Sequence, residues 1–126
     1  MHLHIVHDEH IRLEMDGEDG LEVIGEHFGP LQMLAASLAL CTAAAMQDYA
    51  ATAHFHLHQF AVVVVWEYTE QPYRVGRFGM ILEVGADVPP SRQKALLRAA
   101  DQCTVHSTLT HGCKVETRLE VQGEQA

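Results

Sequence analysis

Apolar and polar residues alternate from His2 to Ile24 in short runs broken by turn residues, the spacing of half-buried strands. Leu3 and Ile5 share one face, and Ile11, Leu13 and Met15 share a face opposite His10, Arg12, Glu14 and Asp16. Asp16-Gly17 or Asp19-Gly20 supplies a reversal into Leu21 to Ile24, so two or three antiparallel strands are expected here. The pattern then changes completely. From Phe28 to Met46 there is no charged residue, and Gly29-Pro30 opens the run as a helix start, where proline loses only an amide hydrogen that has no partner. Leu31, Met33, Leu34, Leu38 and Leu40 surround the axis of a helix reaching to Ala53, with alanines, the strongest helix formers, between them. A helix apolar on all sides is expected to be buried on all sides. Small residues, Ser37, Ala44 and Ala45, lie one turn from Cys41 and leave its sulfur room.

Beyond this helix a β-branched and aromatic run places Phe60, Val62, Val64, Trp66 and Tyr68 on one face and Ala61, Val63 and Val65 on the other, predicting a central strand covered on both faces. Gln71-Pro72 turns the chain into Tyr73 to Val84, completing a long hairpin. Pro89-Pro90 ends it. Ser91 is expected to cap a second helix whose Ala95, Leu96, Ala99 and Ala100 oppose Arg92, Lys94 and Arg98. Thr104 to Thr110 predicts one or two helical turns, stopped by His111-Gly112. A last strand is expected in CKVETRLEV, with Cys113, Val115, Thr117, Leu119 and Val121 inward, which makes Cys113 a packed core residue. The tail after Gln122 is polar and expected to fray.

With 126 residues, nearly half of them hydrophobic, the chain has the material for one core, and residues 1–126 read as a single α+β domain. A net charge of −9 removes the basic surface that nucleic acid or an anionic membrane requires. The uncharged run approaches the roughly 20 apolar residues of a membrane span, but its alanines are weakly hydrophobic, Gln32, Ser37 and Thr42 interrupt it, and no Lys or Arg flanks it closely. Three widely spaced cysteines without a secretory segment point to a reducing cytoplasm and fit no zinc-knuckle spacing.

Two cysteines carry a resemblance. GPLQMLAASLALCTAAAM resembles the first cysteine motif of the OsmC/Ohr family, in which a glycine- or asparagine-proline pair opens a central helix and a cysteine follows eleven residues after the proline, the interval from Pro30 to Cys41. DQCTVHSTL is similar to the second motif, with Cys103 at its cysteine. The order of elements is similar over nearly the whole chain. The resemblance implies an OsmC-like fold, with antiparallel strands around a long buried helix, assembled as an intertwined homodimer with active sites at the subunit interface. It also implies a thiol-dependent peroxidase acting on organic hydroperoxides without a cofactor. Cys41 would attack the peroxide, Cys103 would resolve the sulfenic acid as a disulfide, and a thiol reductant would recycle it. The family's activating arginine comes from the N-terminal strands; Arg12 lies in that region, with Arg74 and Arg77 as competitors. The family's glutamate after the helix-opening proline is Leu31 here, which leaves such an arginine less well held.

That substitution keeps a second function open, a non-catalytic dimeric protein binding a small apolar ligand. The ten histidines raise a third. His54, His56 and His58 alternate, and in an extended strand they would share one face as ligands for zinc, copper or nickel; His2, His4, His7 and His10 form a second group. Metal binding requires three or four of them to converge. Without convergence they are surface residues, and no metal site is assigned.

Overall fold

The computed structural model describes residues 1–123, so the polar end expected to fray lies almost wholly outside the described residues. The strands are β1 (His2–His7), β2 (His10–Met15), β3 (Glu22–Ile24), β4 (Phe60–Thr69) and β5 (Arg74–Glu83). The helices are α1 (Pro30–Thr52), α2 (Gln93–Ala100) and α3 (Thr104–His111). The strands form a single sheet in the order β3-β1-β2-β4-β5.

β1 and β2 form a tight antiparallel hairpin, β2 pairs antiparallel with β4, and β4 with β5. The expectation of antiparallel strands throughout fails at β3, which runs parallel to β1, matching Leu3 to Val23. The physical reason is edge availability. Both edges of β2 are occupied, by β1 and β4, so the chain leaving Met15 swings through Gly17 and Gly20, both at positive φ, to the free edge of β1.

The alternation of β2 and β4 decides which face is apolar. Ile11 and Leu13 point with Phe60, Val62, Val64 and Trp66 toward α1, which buries Ala35, Leu38, Ala39, Ala43 and Met46 against them. Each large side chain of this set contributes about 1.5–3 kcal/mol by leaving water. On the opposite face Ala61 and Val63 are also buried, beside the long side chains of Arg12, Glu14 and Glu83, whose stems cover them. The two-sided burial expected for β4 is thus present.

Helix α1 starts at Pro30, and Gln32 secures that start by accepting the Gly29 N–H at 3.0 Å while its amide donates to the Asp8 carbonyl at 2.6 Å. Its burial is one-sided, against the all-round burial its composition predicts. Met33 is 52% exposed, and Ser37 and Ala44 are exposed with it. A five-stranded sheet and two short helices cover only part of a 23-residue helix.

Two further expectations are corrected. Ser91 does not cap α2: it lies inside a 3-10 turn, Pro90–Arg92, and α2 begins after it at Gln93 without a side-chain cap. The last predicted strand does not form within this chain. Residues 113–121 have no ladder partner, and Val115, Leu119 and Val121 are 82%, 88% and 78% exposed. Cys113 is therefore exposed, not packed in the core. A strand needs a neighbouring edge to satisfy its main chain, and among the described residues the segment pairs with none.

Candidate functional site

The middle of α1 and the start of α3 meet on the apolar side of the sheet, and they bring Cys41 and Cys103 together. Cys41 follows Leu38 by one turn and precedes Thr42, which is fully buried and donates its hydroxyl to the Met80 sulfur of β5 at 3.5 Å. α2 packs on α1 through Leu96 and Ala100, so the chain leaving it must pass close to the middle of α1. Cys103 is the N-cap of α3: its backbone is extended, and its sulfur accepts the His106 N–H at 3.2 Å. Gly112, at φ 79°, lets the helix stop after His111.

The two sulfurs differ in environment. Cys41 is half-buried and Cys103 is 5% exposed. Burial pushes the Cys103 thiol above its ordinary range; the His106 N–H opposes the rise, and Cys41, as hydrogen-bonding and charged neighbour, adds to it. The Thr42 hydroxyl also faces Cys103 and favours its thiolate. Cys41 and Cys103 are both free thiols.

A cavity of about 260 Å³ lies between α1, β5 and α3, lined by Leu38, Val75, Arg77, Phe78, Met80, His106, Leu109 and Thr110; neither cysteine lines it, but Leu38 lies one turn before Cys41 and His106 three residues after Cys103. Its walls mix apolar side chains with the polar groups of Arg77, His106 and Thr110. The His106 ring reaches Asp101, with Nε2 3.4 Å from Oδ1, and its Nδ1 lies 3.5 Å from the Thr110 hydroxyl. Neither His106 nor Asp101 stands out in the sequence; the only signal is a histidine three residues after a cysteine that opens a helix.

The arginines are not gathered at Cys41. Arg12 shares the outer face of the sheet with Val63 and donates to Glu83 at 2.7 Å, whereas α1 lies on the inner face. Ile11 and Leu13 take the inward positions, and strand alternation sends Arg12 outward. Arg77 pairs with Glu67 at 3.2 Å, and Arg74 donates to the Pro72 carbonyl at 2.9 Å. Leu31, where the resemblance expects an acid, packs half-buried against the core.

The histidines do not converge. Residues 55–58 are irregular, His56 and His58 stack at 5.2 Å, and His54, just beyond the end of α1 at positive φ, shares a surface pocket with His56 without joining that stack. His4 pairs with Glu14, and the rings of His7 and His10 lie tilted to each other at 5.9 Å. Among the described residues, the group of possible metal ligands that draws together is His2, Asp16 and Glu18. Two of its three side chains already have partners: Asp16 contacts His2 and accepts the Glu18 N–H, and the second ring nitrogen of His2 lies 3.3 Å from Glu22. The Glu18 N–H is the main reason the Asp16 carboxyl is lowered from 3.8 to about 2, with the amino group of Met1 and His2 assisting.

Comparison with known proteins agrees with this architecture. The family model for OsmC-like protein matches residues 23–118, which includes both cysteines, and the chain belongs to that family. Two solved structures share the fold. A protein from Psychrobacter arcticus 273-4, described as an osmotic stress induced and detoxification response protein, superposes with a TM-score of 0.60 at 24% identity over 67% of this chain. An OsmC-like hydroperoxide resistance protein from Jannaschia sp. CCS1 gives 0.57 at 23% identity over 76% of this chain. The chain spans 61% of the length of the first and 69% of the second. No curated protein matches it.

Proposed function

We propose that this protein reduces small organic hydroperoxides with Cys41 as the attacking thiol and Cys103 as the resolving thiol. The observation that carries this reading is the pairing of a half-buried thiol with a buried one, Cys41 with Cys103, where α1 meets the start of α3. The Cys41 thiolate attacks the terminal peroxide oxygen, the O–O bond breaks, and the alcohol leaves with a proton, making Cys41 a sulfenic acid. Cys103 then attacks that sulfur, the S–O bond breaks, and water leaves as the disulfide forms. A thiol reductant returns both cysteines to thiols by exchange. The volume near 260 Å³ lies below the roughly 300–1,000 Å³ of sites for drug-sized ligands, which favours a compact substrate.

The working unit in this reading is a homodimer. The exposed apolar line on α1, the free edge of β5 and the unpaired alternating segment 113–121 are three surfaces that a second copy would cover. A second function is favoured by one observation: Arg12, Arg74 and Arg77 bond to Glu83, the Pro72 carbonyl and Glu67, so none of the three arginines expected to activate Cys41 is paired with it. On that reading the cavity binds a small apolar ligand without turnover.

Single-turnover oxidation by cumene hydroperoxide and by hydrogen peroxide, with thiols counted afterwards, separates the two. Loss of two thiols per chain, faster with the organic peroxide, is the result expected of the peroxidase. Binding of cumyl alcohol with all thiols retained would establish the alternative.

A further inference from the structure

We propose, resting on the reading that Cys41 and Cys103 react with each other, that the Thr42 hydroxyl donates a hydrogen bond to the Cys103 sulfur as it becomes the attacking thiolate. Thr42 follows Cys41 in α1, is fully buried, and is the buried polar side chain of the core among the described residues. Its hydroxyl donates to the thioether of Met80 at 3.5 Å, and a thioether is a weak acceptor. A valine would fill the same space without the cost of burying a poorly partnered hydroxyl. The position thus holds a donor with capacity in reserve for a stronger acceptor.

Three groups meet the Cys103 sulfur. The His106 main-chain N–H lies 3.2 Å away at the cap of α3, and α1 presents the Cys41 thiol and the Thr42 hydroxyl. Two of the three are donors, a main-chain N–H and a hydroxyl, the group types that hold developing negative charge when they are fixed in place beforehand. At rest the hydroxyl hydrogen points to Met80, and the oxygen is free to accept the Cys103 S–H. Once that proton leaves, rotation about the Thr42 C–O bond turns the hydrogen from a neutral sulfur to a charged one. Hydrogen bonds to a charged partner are roughly twice as strong as neutral ones.

The resolving step needs such a donor. Burial and the neighbouring Cys41 both keep Cys103 a thiol, while only a thiolate attacks sulfur efficiently. In that step the Cys103 sulfur forms the S–S bond as the S–O bond of the Cys41 sulfenic acid breaks. The proton given up by Cys103 and the expelled hydroxide leave as water, so the disulfide forms without a further oxidant. Cys41 of α1 is the ionisable group that meets the Cys103 sulfur from outside its own helix start. His106 meets it through the main-chain N–H, the ring being paired with Asp101 from the α2–α3 connection. From β5 come the uncharged Met80 and, across the cavity, Arg77, which is paired with Glu67.

The test uses the full chain with Cys41→Ser and Cys113→Ser, so that Cys103 is its sole thiol and the ultraviolet absorbance of the thiolate titrates it directly. Thr42→Val should raise the midpoint by about one pH unit or more, since a hydrogen bond to a charged group is worth about tenfold to a hundredfold in such an equilibrium. Thr42→Ser, which keeps the hydroxyl, should restore most of the difference. Kinetics then separate ionisation from packing, in a chain that retains Cys41 as its mixed disulfide with thionitrobenzoate and carries Cys113→Ser. Release of the coloured thiolate reports attack by Cys103. At neutral pH Thr42→Val should slow it by about three- to tenfold, and once both thiols are ionised the variant should match or exceed the parent, because the more basic thiolate is the better nucleophile. A midpoint that Thr42→Val leaves unmoved, a serine variant that titrates like the valine one, or a rate slowed equally at every pH overturns the proposal. Should the valine variant fail to fold, Met80→Leu decides: it frees the hydroxyl for Cys103, and a midpoint that does not fall rejects the assignment. If cumene hydroperoxide oxidises neither thiol while the Cys103 midpoint still depends on Thr42, the peroxidase reading falls and the assignment of the donor stands.

Discussion

Arg12 and Glu83 are joined across the outer face of the sheet, Nη1 to Oε1 at 2.7 Å, over the central strand that separates them. The pair turns the only arginine of the N-terminal strands away from α1 and Cys41. Both side chains are a third or more exposed, so solvent screens them and the pair contributes less than about 1 kcal/mol. Arg12→Ala is therefore expected to leave the alkylation rate of Cys41 within about twofold of the parent, and to shift urea stability only slightly. A Cys41 thiol that becomes tenfold slower to alkylate would show that Arg12 reaches it by a route this arrangement does not contain.

The three cysteines should react in the order of their access. Cys113 is exposed, Cys41 half-buried and Cys103 buried with its thiol pushed up. Iodoacetamide at neutral pH is expected to label them in that order, as read by peptide mass spectrometry at successive times. Because Cys103 holds its proton in the folded chain to higher pH than in the unfolded chain, unfolding releases that proton at alkaline pH. Stability should fall as pH rises past the ordinary thiol range, and Cys103→Ala should lessen that fall. Labelling of Cys103 ahead of Cys41 at neutral pH would contradict the assignment of roles.

Acid should act through Asp16. Its carboxyl is lowered from 3.8 to about 2 by the Glu18 N–H, and to a lesser extent by the Met1 amino group and His2. A lowered carboxyl stabilises the fold fully above 3.8 and loses that contribution as pH falls through about 2. Asp16→Asn should be less stable than the parent at neutral pH, and the difference should shrink across that window in urea titrations at stepped pH. A difference constant down to pH 2 would assign the effect to packing.

Assembly can be tested on α1. Ala44 is exposed in the chain while Ala43, beside it, is 1% exposed. Ala44→Glu should leave the folded chain within about 0.5 kcal/mol of the parent yet drive the proposed dimer to monomers in light scattering, since it buries an unpaired charge between copies. Ala43→Glu should fail to fold. A parent protein that is already monomeric at micromolar concentration would remove the dimer from the proposal.

The two faces of the sheet predict unequal costs. Leu13 is fully buried against α1, so Leu13→Ala should cost about 2–5 kcal/mol in urea unfolding. Ile81 is 56% exposed on the outer face of β5, and Ile81→Thr should cost under about 1 kcal/mol. Equal losses would mean that the outer face is covered by something beyond this chain.

Local chemistry alone determined most of the elements. The uncharged run opened by Gly29-Pro30 forms α1, and the alternation of Ile11 and Leu13 and of Phe60 to Trp66 assigns the inward faces of β2 and β4. The spacing from Pro30 to Cys41 and the cysteine ahead of a short helix marked the two thiols that the fold brings together. These features depend on a period of two or 3.6 and on caps, all properties of adjacent residues. Tertiary structure decided what depends on which edges and faces are already taken. Alternation in residues 113–121 describes a strand as well as any in the chain, yet a strand exists only beside a free edge, and the segment has none here. β3 runs parallel to β1 for the same reason: both edges of β2 are occupied. Arg12, at a plausible sequence position, lies a sheet's thickness from Cys41 because Ile11 and Leu13 claim the inner face. The meeting of Cys41 with Cys103 arises from the packing of α2 and α3 on α1, contacts no spacing along the chain encodes.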